Sequence, residues 1–215
     1  HTANSDRVVE YWSETNTESG SSSDQDIVYS SSINDGTSWS DYDDVSEHYY
    51  EAFSGLPSLA YSGDFIYLVY MDNGDYDQEN NPNGNDAADR DGDIYFQRSD
   101  DEGESWDSLK VLSLFDEDEE NDLDYTSILL QYRTDVAATG NYVHVAWVDY
   151  DSYNGGYDIY YTKSSNNGNT WTTPESVSTA SSPGGVTIAS SGSDVVIAWV
   201  DFGDVFHVSS SNNGD

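Results

Sequence analysis

Three stretches of this sequence carry oxygen ligands at the spacing a hard cation needs. Asp72-Asn-Gly-Asp75-Tyr-Asp77 is followed, through Asn81-Pro-Asn83-Gly-Asn85-Asp86, by Asp89-Arg-Asp91-Gly-Asp93. Asp149-Tyr-Asp151-Ser-Tyr-Asn154-Gly-Gly-Tyr-Asp158 repeats the theme, and Asp201-Phe-Gly-Asp204 shortens it. Carboxylate and amide oxygens alternating with Gly at the bends suit Ca2+, which takes about six to eight oxygen ligands. Asp72, Asp75, Asp77, Asp89, Asp91, Asp93, Asp149, Asp151 and Asp158 are therefore the candidate metal ligands, with Ca2+ as the candidate cofactor. No stretch has the Glu that would close an EF-hand loop. The competing reading is a set of solvated acidic loops. The Asp72–Asp93 connection is the strongest candidate, because a long loop without structure of its own is uncommon unless functional or mobile.

Other reactive types are sparse. His144 lies within an alternating run and reads as a strand residue, while His1, His48 and His207 lack a second His at ligand spacing. The run Asp116-Glu-Asp-Glu-Glu120, continued by Asp122 and Asp124, reads as a solvated linker. The absence of Cys excludes a disulfide framework and a thiolate metal site.

Charge bounds the partners. The 215 residues carry 42 acids against six Lys plus Arg, a net charge of −36. That much like charge pushes a compact state apart at low ionic strength. In molar salt the Debye length falls to about 3 Å and the repulsion is screened. An acidic surface with only two lysines, Lys110 and Lys163, is expected of a protein adapted to high salt. No basic patch is present to neutralise phosphates, so nucleic acid is a poor partner. No apolar run approaches the roughly 20 residues of a membrane-spanning helix, so no membrane insertion is expected. The first residue is His1 rather than Met, and a processed or partial extracellular or cell-surface product is expected.

These loops must be held by strands. Hydrophobic residues are 35% of the chain, but aromatics are 14% and 18 residues are Tyr. Tyr, Trp, Val and Ile favour strands, and such aromatic content argues against disorder. One pattern recurs four times: Ser32-x-Asn34-x-Gly36-x-Ser38-Trp39, Ser99-x-Asp101-x-Gly103-x-Ser105-Trp106, Ser164-x-Asn166-x-Gly168-x-Thr170-Trp171, and Ser210-x-Asn212-x-Gly214 before the last residue, Asp215. A strand-like run precedes each: Asp26–Tyr29, Asp93–Phe96, Asp158–Tyr161 and Asp204–Phe206. Before these lie the runs Val8–Trp12, Phe65–Tyr70, Tyr142–Trp147 and Val195–Trp199. Three units have a further inner run: Pro57–Tyr61, Asp135–Ala138 and Val186–Ala189. A fourth run follows the complete copies, clearest at Ser108–Leu112 and Glu175–Val177. Four short strands per unit with Gly, Asn and Asp turns describe the blade of an all-β propeller. The Asn or Asp is expected to accept backbone N–H groups within the turn, the Gly to adopt positive φ, and Trp39, Trp106 and Trp171 to be buried or half-buried beside it.

The pattern resembles the Asp box, or BNR repeat, of the sialidase-like β-propellers. The resemblance implies four-stranded antiparallel blades and makes the box residues structural turns, away from an active-site funnel. Residues 1–215 form a single domain or fragment, with units at approximately 7–50, 56–115, 126–181 and 184–215. The first unit lacks its innermost strand and the last its outermost. The chain is thus expected to hold about three and a half blades of a six- to eight-bladed propeller, a further chain or segment completing it.

In sialidases of this family three arginines bind the substrate carboxylate, one of them in an Arg-Ile-Pro motif, with a Tyr nucleophile primed by Glu and an Asp acid/base. None of Arg7, Arg90, Arg98 or Arg133 precedes Ile-Pro, and only Arg133 stands at the lip of an innermost strand. No Tyr–Glu pair can be singled out. The leading functional reading is an extracellular, salt-adapted binding or assembly module that recognises a glycan or a surface protein. A sialidase-like glycoside hydrolase with catalytic residues partly outside this chain is one alternative. A structural component of an extracellular layer or filament, bridged through cations, is the other.

Overall fold

A computed structural model describes residues 8–15, 25–32, 34–46, 54–72, 93–101, 103–113, 133–151, 156–181 and 183–215. Every regular element among them is a strand, and the strands form four antiparallel sheets. Blade one holds β1 (Val8–Thr15), β2 (Gln25–Ser32) and β3 (Asp43–Asp44). Blade two holds β4 (Ser54–Ser62), β5 (Phe65–Asp72), β6 (Asp93–Ser99) and β7 (Lys110–Val111). Blade three holds β8 (Thr134–Thr139), β9 (Tyr142–Asp151), β10 (Gly156–Ser164) and β11 (Glu175–Ala180). Blade four holds β12 (Pro183–Ser191), β13 (Asp194–Asp201) and β14 (Asp204–Ser210). Each blade is a meander in sequence order. The innermost strand β8 lies against both β4 and β12, so blades two to four pack around a common axis. This is part of a β-propeller, as the four units of the sequence predict.

Burial follows from stacking blade on blade. In β5 every residue from Ile66 to Asp72 is buried, because blades one and three cover both faces. In β13 burial alternates: Val195, Ile197 and Trp199 are buried, whereas Val196 and Val200 are exposed. Only one face of that strand is covered, and the period of two becomes visible. Three apolar layers lie between the blades. Ile27, Leu68, Tyr70 and Tyr95 join blades one and two. Val69, Met71, Ile94, Phe96, Val145 and Trp147 belong to the layer joining blades two and three. Ala146, Val148, Ile159, Ile188, Ile197 and Trp199 belong to that joining blades three and four. Full burial of each such large side chain contributes about 1.5–3 kcal/mol, so these layers hold the sheets in register with one another.

Candidate functional site

The four recurring turns share one geometry. In the third, Ser164 Oγ accepts the Gly168 N–H at 2.8 Å and donates to Asn166 Oδ1 at 2.9 Å. Asn166 Oδ1 also accepts the Thr170 N–H at 2.9 Å. In the second, Gly103 N donates to Ser99 Oγ at 2.7 Å and Ser105 N to Asp101 Oδ1 at 2.8 Å. The first and fourth repeat the Gly-to-Ser bond, Gly36 to Ser32 at 2.9 Å and Gly214 to Ser210 at 3.0 Å. Ser32 and Ser210 likewise donate to Asn34 and Asn212. All four glycines have φ between 76 and 89°, a region side chains avoid. Hydrogen bonds from the Ser105 hydroxyl and amide bring the Asp101 carboxyl down to about 2, since they favour the charged form.

The turns also join blades. Trp171 meets Phe96 of blade two edge-on at 4.8 Å, and Trp106 meets Tyr29 of blade one at 5.9 Å. A Cβ built on Gly168 would lie 2.7 Å from Phe96 Cε1, and one on Gly214 would overlap the Tyr161 hydroxyl of blade three. Arg98 Nη1 donates to the Asn167 carbonyl at 2.7 Å and to Asn169 Oδ1 at 3.2 Å, and its Nη2 pairs with Asp107 at 2.5 Å. Lys110 Nζ donates to the Gly168 carbonyl at 2.8 Å. Lys163 Nζ donates to the Asn213 carbonyl at 3.1 Å and pairs with Asp215. The expected burial of the box tryptophans holds for Trp106 and Trp171, which are half-buried. It fails for Trp39, which is 40% exposed. The burial comes from the aromatic ring of the preceding blade, not from the turn itself, and no described strand lies on that side of blade one.

Beside the axis, the innermost strands are tied together by one carboxylate. Asp135 Oδ1 accepts from Ser58 Oγ of blade two at 2.5 Å. Its Oδ2 accepts from Thr187 Oγ1 at 2.7 Å and from Ile188 N at 2.9 Å, both of blade four. The three side chains occupy one column, since Ser58 pairs with Val69, Asp135 with Ala146 and Thr187 with Ala198. No local motif singles out these residues, although the polar position is visible once the three inner runs are aligned. Nearby, His144 is buried at the blade three–four layer, with Nδ1 2.8 Å from Tyr161 Oη and Nε2 without a hydrogen-bond partner among the described residues. Burial pushes its imidazole down to about 4, with Lys163 adding to the shift.

The end of the propeller opposite the box turns carries the described candidate metal-ligating carboxylates. Acidic residues pair in backbone register at the same place in successive blades: Glu14 with Asp26, Asp72 with Asp93, Asp149 with Asp158, and Asp201 with Asp204. Asp72 is fully buried and accepts from Ser54 Oγ at 2.5 Å, and Asp93 accepts from Ser113 Oγ at 2.7 Å. Asp75, Asp77, Asp89 and Asp91 lie outside the described residues, as does the Asp151 side chain. Among the described residues no three His, Asp or Glu side chains cluster closely enough to hold a metal ion. Arg133 is exposed at the start of β8 at this same end, its side chain close beside Gly185 of blade four. Of the other arginines, Arg98 is taken up by the joint at the opposite end, and Arg7 and Arg90 lie outside the described residues.

No family model and no curated protein matches the sequence. Solved structures do match. The Hadza microbial sialidase Hz136 superposes with a TM-score of 0.61 at 13% identity, over 97% of this chain and 42% of that one. Trypanosoma rangeli sialidase in complex with sialic acid matches with a TM-score of 0.57 at 15% identity, over 95% and 34%. The leech intramolecular trans-sialidase matches with a TM-score of 0.50 at 14% identity, over 81% and 24%. The chain spans less than half the length of each. Four meander sheets, four Asp-box turns and these superpositions give one conclusion: the chain has the fold of part of a sialidase-type BNR-repeat β-propeller.

Proposed function

We propose that this chain is a binding or assembly module on a sialidase-type scaffold, recognising a glycan or a neighbouring surface protein outside the cell at high salt. The observation that carries this reading is the use of the cations. Arg98, Lys110 and Lys163 hold box turns of the next blade. A carboxylate-binding site needs cations free to form bidentate pairs, and Arg133 is the described one that stands exposed at the end away from the turns. That end, with Arg133 beside Gly185 and acidic residues paired in register along the blades, is the proposed recognition surface. Ca2+ in the Asp72–Asp93 loop belongs to the same reading, on the sequence pattern.

The test uses the 215-residue chain in molar KCl. Retention on a glycan array and on cell-surface protein extracts is measured beside release of 4-methylumbelliferone from its sialoside. Saturable retention that Arg133→Ala weakens, with no release above background, is the expected result. Sustained release by the chain would replace this reading with a hydrolase, the alternative that the sialidase fold of the matching structures favours.

A further inference from the structure

The joints between successive blades are built alike but charged differently. At the same place in blades one, two and three, an aromatic ring lies against the box hairpin of the following blade: Tyr29 meets Trp106, Phe96 meets Trp171, and Tyr161 underlies Gly214. Two positions flank each ring. One lies further along the same strand, next to the first Ser of the box, at Ser31, Arg98 and Lys163. The other is the partner on the outermost strand: Tyr29 pairs with Asp43, Phe96 with Lys110 and Tyr161 with Glu175.

Between blades two and three both positions are cations. Arg98 and Lys110 reach the main-chain carbonyls of Asn167 and Gly168 in the following box, at 2.7 and 2.8 Å. Arg98 lies over the Phe65 ring at 5.1 Å and Lys110 over the Phe96 ring at 5.7 Å. The box they hold is neutral at its acceptor side chain, Asn166. Between blades three and four one cation remains. Lys163 holds the Asn213 carbonyl at 3.1 Å, and Glu175 stands in the place of Lys110.

Between blades one and two the charge is reversed. Ser31 ends in a hydroxyl and Asp43 in a carboxylate. The facing box carries an acid, Asp101, where the other boxes carry Asn34, Asn166 and Asn212. Hydrogen bonds from Ser99 and Ser105 hold Asp101 in its charged form. The Tyr29 hydroxyl lies within reach of both acids: burial pushes it up, Asp43 adds to this, and Asp101 adds less, against a bond from Trp106. The described cations serve other places, Arg98 and Lys110 at the next joint, Lys163 at the one after, and Arg133 at the far end.

We propose that the joint between blades one and two is controlled by salt: at low ionic strength blade one parts from blade two while blades two and three stay clasped, and molar salt closes it. At about 0.1 M salt the Debye length is about 10 Å, so the acids of the two blades repel across the joint; at about 1 M it is about 3 Å and they are screened. The net charge of −36 strains every joint. The one without a cation clasp yields first. Once the charges are screened, the apolar layer of Ile27, Leu68, Tyr70 and Tyr95 draws the blades together. None of these residues belongs to the recognition end, so the device stands independently of the proposed binding function.

Spin-label distances test it, since the chain has no Cys of its own. Asp41, Ser108 and Thr173 hold the same exposed place in blades one, two and three. Labels on Asp41→Cys with Ser108→Cys span the first joint, and labels on Ser108→Cys with Thr173→Cys span the second. In molar KCl both pairs are expected to give narrow distance distributions. On dilution to about 0.1 M KCl the first pair shifts to longer distances and the second does not. Grafting the clasp, with Ser31→Arg and Asp43→Lys together, abolishes the shift. Near-UV circular dichroism in molar KCl checks that the grafted chain is folded. The converse variant, Arg98→Ser with Lys110→Asp, makes the second pair shift as well. A first pair that stays unchanged on dilution overturns the proposal, as do two pairs that shift together in the parent chain. A folded grafted chain that opens like its parent overturns it too, and so does a converse variant whose second pair stays fixed.

Discussion

Arg98 of blade two donates to the main-chain carbonyl of Asn167 in blade three at 2.7 Å, and Lys163 of blade three repeats this on Asn213 at 3.1 Å. Asn167 and Asn213 hold the same place in their boxes, and both have positive φ. A left-handed turn projects its carbonyl out of the hairpin, and the cation of the preceding blade satisfies it. Arg98 also lies over the Phe65 ring at 5.1 Å, within cation–π range. Arg98→Ala is expected to cost roughly 1.5–3 kcal/mol, the range for hydrogen bonds to a charged group. Arg98→Lys should cost less, because it keeps the carbonyl bond and loses the fork to Asp107. Thermal melts in molar salt read both.

Gly168→Ala tests the fit of a turn on the neighbouring blade. The new Cβ meets both a φ of 80° and the Phe96 ring. Backbone strain of about 1–2 kcal/mol adds to overpacking of about 1–3 kcal/mol. Gly63→Ala is the control, since its φ is 63° but nothing lies within 4 Å. A larger fall in Tm for Gly168→Ala than for Gly63→Ala is expected, at about 2–4 °C per kcal/mol for a chain of this size.

His144 gives stability a pH dependence of known sign. Its folded pKa, about 4, lies below the ordinary 6.5, so the unfolded chain binds the proton more tightly. The contribution is fully present above pH 6.5 and falls as pH drops from there towards 4. Denaturant midpoints across this window are expected to decline in the wild type. In His144→Phe the decline is shallower, on a lower baseline because the Tyr161 contact is lost.

Asp135→Ala leaves the Ser58 and Thr187 hydroxyls and the Ile188 amide without their acceptor. The expected cost is roughly 1–3 kcal/mol, the range for one buried donor left unpaired, since Ile188 is buried while Ser58 is half-buried and the exposed Thr187 hydroxyl can turn to water. Asp135→Asn keeps one acceptor oxygen and should lose about half as much. Chemical denaturation of both variants checks the ordering.

Chelation addresses the acidic loops. With Ca2+ in the Asp72–Asp93 loop, EGTA lowers Tm and added Ca2+ restores it, while Asp93→Asn reduces the difference. An unchanged Tm under EGTA removes Ca2+ from the proposed function.

By itself the sequence determined the blades and their turns. Each box closes on itself within a few residues, Gly168 on Ser164 and Thr170 on Asn166, so residue types and spacing specify the hairpin without outside help. The strands were legible for a similar reason, because aromatic and β-branched runs between such turns leave few other structures open. Tertiary structure decided what the side chains between the turns do. Ser58 and Asp135 are 77 residues apart, Thr187 lies 52 beyond Asp135, and Arg98 reaches a carbonyl 69 residues on. No local pattern marks such pairs, since blade packing alone brings them together. The same holds for Trp39, whose box is identical in kind to the others. Its exposure depends on whether an aromatic ring of another blade lies beneath it, and that is a property of the stack, not of the turn.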